Sequence, residues 1–224
     1  MAQSGYEEVY IETTRELPVF ERRDTTDAGL LQLSLPNLST LSCYDAKDDL
    51  TPLSRLVFQL PDISLLAQFD EQAQSRFGGT STAWEQSVLE ASVSPARKIY
   101  RNVSATGQSA SLAPIHLAVS TRIDEADDES FNEWYESEHV VMMGKIPGWV
   151  RTRRFKRLRA YGEDLPAGQT EYLAIYEFQA ENGLQGPIHK AASATPGTAN
   201  VRAMLRWKEN RTWKHLATVD LRGQ

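Results

Sequence analysis

The hydrophobic pattern between Ile115 and Ala217 changes period in a fixed order, and that order leaves few folds open. Ile115, Leu117 and Val119 alternate with His116, Ala118 and Ser120, the period of a strand. The acidic run Asp124 to Glu129 suits a helix start. Phe131, Trp134, Tyr135, Glu138, Met142 and Met143 then recur at three- and four-residue steps, which predicts an amphipathic helix. Lys145-Ile146-Pro147-Gly148 ends it, because Pro disfavours further helix and Gly suits the cap. Trp149 to Lys156 reads as a strand, Gly162 to Gln169 as a turn and Tyr172 to Phe178 as a second strand of a hairpin. A helical region over 181–206, interrupted by Pro187 and Pro196, and a strand over 207–217 complete the order β-α-β-β-α-β. That order is the ferredoxin-like, or split βαβ, arrangement.

The first half follows the same order more loosely. Glu8–Thr13, Leu38–Tyr44, Arg55–Leu60 and Arg97–Val103 read as strands. Pro18–Leu33 and Ile63–Leu89 read as helices, the second broken at Gly78-Gly79. A shift of 111 positions sets Phe20 on Phe131, Pro36 on Pro147, Leu31 on Met142, Leu35 on Ile146 and Tyr44 on Phe155. The apolar pattern matches better than the identities do, so the chain reads as an internal repeat. Asn102 to Ala113 is small and polar, the composition of a flexible linker. The expected division is an N-terminal ferredoxin-like repeat over 1–105, a linker over 106–114 and a C-terminal repeat over 115–224. The expected fold class is α+β: two βαββαβ repeats whose sheets pack into one barrel, which buries both faces and reduces exposed edges.

Charge separates the halves. Residues 1–108 hold 9 Lys+Arg against 15 Asp+Glu, and residues 109–224 hold 15 of each. The formal net charge of -6 argues against a dedicated nucleic-acid binder. No stretch approaches the ~20 apolar residues of a spanning helix. Met1 to Glu8 does not read as a secretory leader, and the single Cys43 has no partner for an internal disulfide. The expectation is a soluble, cytoplasmic protein with no membrane or nucleic-acid partner. Four scattered His and one Cys provide no close-spaced metal ligands, and no phosphate or dinucleotide glycine motif appears, so no metal or cofactor is expected.

The segment FNEWYESEHVVMMGKIPGWVRTRRFKR, Phe131 to Arg157, resembles the dimeric α/β-barrel superfamily in its EthD-like branch. Phe131, Trp134, Tyr135, Glu138, His139, Pro147, Gly148, Trp149, Arg153, Arg154 and Phe155 fit the pattern F-x-x-W-Y-x-x-E-H, P-G-W, R-R-F. YLAIYEF, Tyr172 to Phe178, looks like that family's third strand, and the whole chain is similar to a fungal-type tandem form. Val141 stands where the family usually has Pro. The first repeat has Asp24, Asp27 and Ala28 in place of Tyr135, Glu138 and His139. The resemblance therefore implies one working pocket, built around the second repeat.

Each candidate has a chemical reading and a plainer one. His139 can take and return a proton near neutral pH, or can be a histidine hydrogen-bonded at a helix–sheet interface. Tyr135, four residues earlier, can donate to a substrate oxygen or serve as a core aromatic. Glu138 points about 100° from its neighbour and suits a salt bridge with an arginine of the next strand. His116 and Ser120 share a strand face with Arg122, which favours a face turned inward, and His215 has a weaker claim to the same side. His189, beside Pro187, reads as surface. Trp134, Met142, Trp149, Tyr172 and Tyr176 suit the wall of an aromatic cavity or an ordinary core. Arg151 to Arg159 reads as a solvated edge strand paired with acids, with Arg153 as the alternative anchor for a substrate anion.

The resemblance implies a cofactor-independent enzyme of specialised metabolism. Its reaction would be acid/base cyclisation, dehydration or isomerisation of a small aromatic or polyketide-like molecule, in a monomer or homodimer. Cofactorless oxygenation, non-catalytic binding of an aromatic metabolite, and a scaffold without chemistry are the alternatives.

Overall fold

The computed structural model describes residues 9–15, 39–48, 50, 54–60, 97–107, 113–161 and 164–220. The helices expected at Pro18–Leu33 and Ile63–Leu89, with Phe20, Asp24, Asp27, Ala28 and Pro36, lie outside these residues. By internal contacts the chain divides into two compact units. One comprises Met1–Asn102, Leu158–Glu163 and Leu216–Gln224; the other comprises Val103–Arg157 and Asp164–His215.

The first part of the chain supplies β1 (Val9–Arg15), β2 (Thr40–Ala46), β3 (Ser54–Leu60) and β4 (Arg97–Gly107). All pair antiparallel: Ile11 faces Phe58 of β3 and Ile99 of β4, and Cys43 of β2 faces Leu56. The order is β4-β1-β3-β2. Cys43, Tyr44, Val57, Ile99 and Tyr100 are buried, and the Arg55 guanidinium lies 4.5 Å above the Tyr44 ring.

The second part supplies β5 (Ile115–Asp124), β6 (Trp149–Tyr161), β7 (Gln169–Phe178) and β8 (Leu205–Asp220). β5 pairs with β7 without a break from Ile115–Phe178 to Asp124–Gln169, and with β8 on its other side. β6 pairs with β7, with a register shift between Trp149 and Arg151. The order is β8-β5-β7-β6. Numbered within each unit, both sheets run fourth-first-third-second, so the internal repeat read from the apolar pattern is a repeat of ferredoxin-like topology.

A 3-10 turn at Glu125–Asp127 leads into α1 (Asp128–Trp134). A π-helical turn at Tyr135–His139 follows, then α2 (Val140–Met143). Gly148, at φ 78, turns the chain into β6; a Cβ there would meet the Glu181 carbonyl at 2.5 Å, which is why glycine occupies the cap. The helix side of the sheet buries Phe131, Tyr135, Val140, Met143 and Ile146 against Ile115, Ile123, Tyr172, Ala174, Tyr176 and Phe178.

Two expectations need correction. The strand expected over Arg97–Val103 runs on to Gly107, so the start of the linker expected over 106–114 is strand. Ladder hydrogen bonds form whatever the side-chain polarity, so small polar residues there do not reveal a strand. Pro187 and Pro196 do not interrupt a helix. Each opens one, α3 (Pro187–Ala192) and α4 (Pro196–Met204), at the position where the missing N–H has no intrahelical partner to lose. Thr195 caps α4 by accepting from the Thr198 amide at 3.0 Å.

Phe131 is wholly buried, and its ring centroid lies 5.0 Å from that of Tyr135 and 5.2 Å from that of Tyr172. Phe131→Ala is expected to destabilise the protein by about 3–5 kcal/mol, measured by urea denaturation.

Candidate functional site

The sheet of the second unit has two chemically different faces, and the predicted site residues divide between them. Tyr172, Ala174, Tyr176 and Phe178 of β7 point toward the helices, whereas Glu171, Leu173, Ile175 and Glu177 point away. On β5, register places Thr121 with the first group and His116, Ala118, Ser120 and Arg122 with the second. His116 thus faces away from the helices, as its neighbour Arg122 suggested. His139, on the helical run, lies on the other side. The structure does not bring His116, Ser120 and Arg153 together with His139 and Tyr135.

The far face is a buried ion-pair cluster. Glu177 accepts from Arg151 Nε at 2.7 Å and Arg153 Nε at 2.9 Å, and His116 Nε2 lies 3.8 Å from it. Glu171 accepts from Arg122 Nε and Arg157 Nη1, each at 2.9 Å. His215 stacks on His116 at 6.2 Å between centroids. The arginines of β6 are paired with acids as expected, but they are not solvated: Arg153, Arg154 and Arg157 are buried. Arg153 is engaged by Glu177. Neither carboxylate was anticipated. Their spacing of six in an apolar strand puts both on one face, and this was the available signal.

The helix face is aromatic. In an α-helix Trp134 and His139 would stand about 140° apart. The π turn changes this, because the Val140 amide donates to the Tyr135 carbonyl five residues back. The wider turn stacks the His139 imidazole on Trp134, with centroids 4.4 Å apart and planes 19° from parallel. The edges of Tyr135 and Tyr176 complete the surround at 5.3 and 6.0 Å. His139 Nδ1 is buried without a hydrogen-bond partner among the described residues.

Among the described residues Glu138 forms no salt bridge with an arginine of β6; that role falls to Glu136, which accepts from Arg154 Nη1 at 2.6 Å. Glu138 instead accepts from Trp134 Nε1 at 3.3 Å and from the Thr195 hydroxyl. A Cβ on Gly197 would crowd the Glu138 carboxylate and the Trp134 ring, so glycine lets α4 approach without displacing either. The Arg154 guanidinium also accepts no freedom: it lies 4.0 Å over the Tyr135 ring and donates to Asn132 Oδ1 at 2.7 Å.

Tyr172 donates to Asp128 Oδ1 at 2.6 Å and accepts from Asn132 at 2.9 Å, so its hydroxyl holds the helix to the sheet. Met142 and Trp149 are half-buried beside this cluster, and Trp149 Nε1 donates to Thr152 at 3.0 Å. His189 is half-buried in α3, rather than in a surface loop, and its Nδ1 accepts from the Gln185 amide at 2.9 Å.

Burial holds His139 down at about 4, helped by the positive charges of Lys208, His189 and Arg154, so the imidazole is neutral at physiological pH. Burial also raises Tyr135, and raises Tyr176 well above its ordinary value with the neighbouring Tyr135 adding to it. Both phenols therefore stay protonated and able to donate.

Because His139 binds its proton less readily folded than unfolded, stability is complete above about pH 6.5 and falls as pH drops from there toward 4. Burial lowers His189 as well, which adds to the same slope. Replacing His139 by Leu is expected to reduce, without abolishing, the fall of the urea midpoint between pH 6.5 and 4.

Comparison with known proteins finds no matching family model and no matching curated protein. Among solved structures, one described as an anthrone oxidase-like protein aligns over 99% of this chain and 95% of its own, with TM-score 0.67 and 12% identity. A putative monooxygenase of Fusobacterium nucleatum aligns over 97% and 96%, with TM-score 0.53 and 11% identity. One of Lactobacillus acidophilus aligns over 96% and 97%, also with TM-score 0.53 and 11% identity. At such identity the likeness is one of fold, and the fold is the ferredoxin-like α+β arrangement.

Proposed function

We propose that this protein is a cofactor-independent enzyme that removes a proton from a small aromatic or polyketide-like substrate. His139 is the base, and Tyr135 is the donor to the oxyanion that forms. The observation that carries this reading is the His139 imidazole itself: neutral, stacked on Trp134, edged by two tyrosines and unpartnered at a buried nitrogen. A buried polar atom without a partner costs about 1–3 kcal/mol, and such atoms concentrate at working sites.

The chemistry follows from these properties. A neutral imidazole can accept the proton. Held down at about 4, its imidazolium is a strong acid and returns that proton readily to another atom of the same substrate. Isomerisation and dehydrating cyclisation both need this return. A protonated Tyr135 donates to the enolate or phenolate oxygen as charge develops. Trp134, Tyr176, Met142 and Trp149 supply flat or apolar contact, and Tyr172 fixes the helix that bears the base. In this reading His116, Ser120 and Arg153 belong to the charged far face and leave the substrate untouched.

The W-Y-x-x-E-H segment supports the EthD-like branch in a fungal-type tandem form. It also supports a cytoplasmic enzyme of specialised metabolism, monomeric or homodimeric, with repeats over 1–105 and 115–224. Cofactorless oxygenation is the second reading. The descriptions of three similar structures favour it, one as anthrone oxidase-like and two as putative monooxygenases. It begins with the same deprotonation, and the resulting carbanion then reacts with oxygen.

The test is turnover of anthrone and of hydroxyaromatic ketones under air and under nitrogen. Isomerisation or dehydration is expected to proceed in both atmospheres, whereas oxygenation proceeds only under air. His139→Ala is expected to lower turnover ~10²–10⁴-fold with an unchanged circular dichroism spectrum. A folded His139→Ala variant that turns over like wild type removes His139 from the mechanism. Tight binding without conversion, equal in both proteins, makes the chain a binder.

A further inference from the structure

We infer that the substrate carries a carboxylate, and that Lys208 anchors it from the sheet edge while His189 donates to it from α3. The inference rests on the proposed role of the His139 site and names the class of molecule that enters it: an aromatic carboxylic acid. Lys208 lies on β8 opposite Thr121, which in turn lies opposite Tyr172. Cross-strand partners share a face, and Tyr172 faces the helices, so Lys208 leaves the sheet on the His139 side. It is exposed to solvent and makes no hydrogen bond or ion pair among the described residues.

His189 is prepared to donate. Its Nδ1 accepts from the Gln185 amide at 2.9 Å, so a neutral ring carries its proton on Nε2. Gln185 holds φ 65, a conformation that a residue with a side chain seldom adopts. The strained turn thus fixes which histidine nitrogen is the donor.

The electrostatics agree with the geometry. Burial lowers His139, His189 and Lys208, and the Lys208 ammonium adds to it at both histidines, as Arg202 does at Lys208. Glu136 answers Arg154, but among the described residues no acidic side chain pairs with Lys208 or His189. Glu138, nearest in sequence, is turned to Thr195 and Trp134. Glu209 follows Lys208 and, in a strand, points to the opposite face. A carboxylate beside Lys208 supplies that ammonium with a counter-charge and accepts from His189 Nε2.

The test compares 2-naphthoate with its neutral isostere 2-naphthamide, by calorimetry, on wild type and Lys208→Met. Wild type is expected to bind the naphthoate about tenfold or more tightly than the amide, the value of a charge-assisted contact. Lys208→Met is expected to bring the naphthoate down to the amide's affinity and to leave the amide unchanged. Lys208 is exposed, so the variant folds, which its thermal midpoint checks. Equal affinity of the two probes for wild type, or an undiminished preference in Lys208→Met, overturns the anchor and leaves the aromatic site standing. Binding of neither probe overturns both the anchor and the reading on which it rests.

Discussion

One hydrogen bond sets the geometry of the aromatic site: the Val140 amide to the Tyr135 carbonyl, five residues back. Restored to α-helical spacing, the run would rotate His139 off Trp134 and open the stack at 4.4 Å. Glu138, four residues on from Trp134, accepts from its Nε1 on one side while Thr195 reaches Glu138 from the other. The ring that covers the imidazole is therefore held through a carboxylate by the cap of α4. Glycine at 197 leaves that carboxylate its space. Proline at the start of α4 and threonine at its cap are parts of the same arrangement, since they place the helix end where Glu138 needs a donor.

The second constraint is the alternation of β7. One face carries tyrosines and pairs with the helices; the other carries Glu171 and Glu177 and pairs with arginines from β5 and β6. Buried ion pairs contribute little net stability, because desolvation offsets most of the attraction. What they enforce is register: a slip of one residue in β7 would turn the carboxylates into the aromatic core and leave the arginines buried alone. The neutral imidazole and the protonated phenols on the helix side depend on that separation. Glu171 and Glu177 are confined to one face, and burial on the other holds His139 near 4 and keeps Tyr135 and Tyr176 protonated.

Much of this was legible beforehand. The alternation at Ile115–Ser120 and the three-four spacing from Phe131 to Met143 are local consequences of burying one face, so periodicity locates β5 and the helical run. The strand order of both units follows from the β-α-β-β-α-β sequence, because short connections leave few ways to pair the strands. The extent of β4 was not legible, since a ladder of backbone bonds leaves no trace in small polar side chains. Pro187 and Pro196 misled for a related reason: proline excludes a helix interior but favours a first turn, and the choice depends on what precedes it.

The residue types at the site, Trp134, Tyr135, Glu138 and His139, are properties of the sequence alone, and so is their place on one amphipathic segment. Which of them touch was decided only by tertiary structure. A π turn differs from an α turn by one hydrogen bond that no side-chain pattern records. The separation of His139 from His116 likewise required the sheet, because a face is defined by what packs against it. Two histidines 23 positions apart in the chain carry no mark of which side of the sheet each will occupy until the strands are paired and the helices laid on one side.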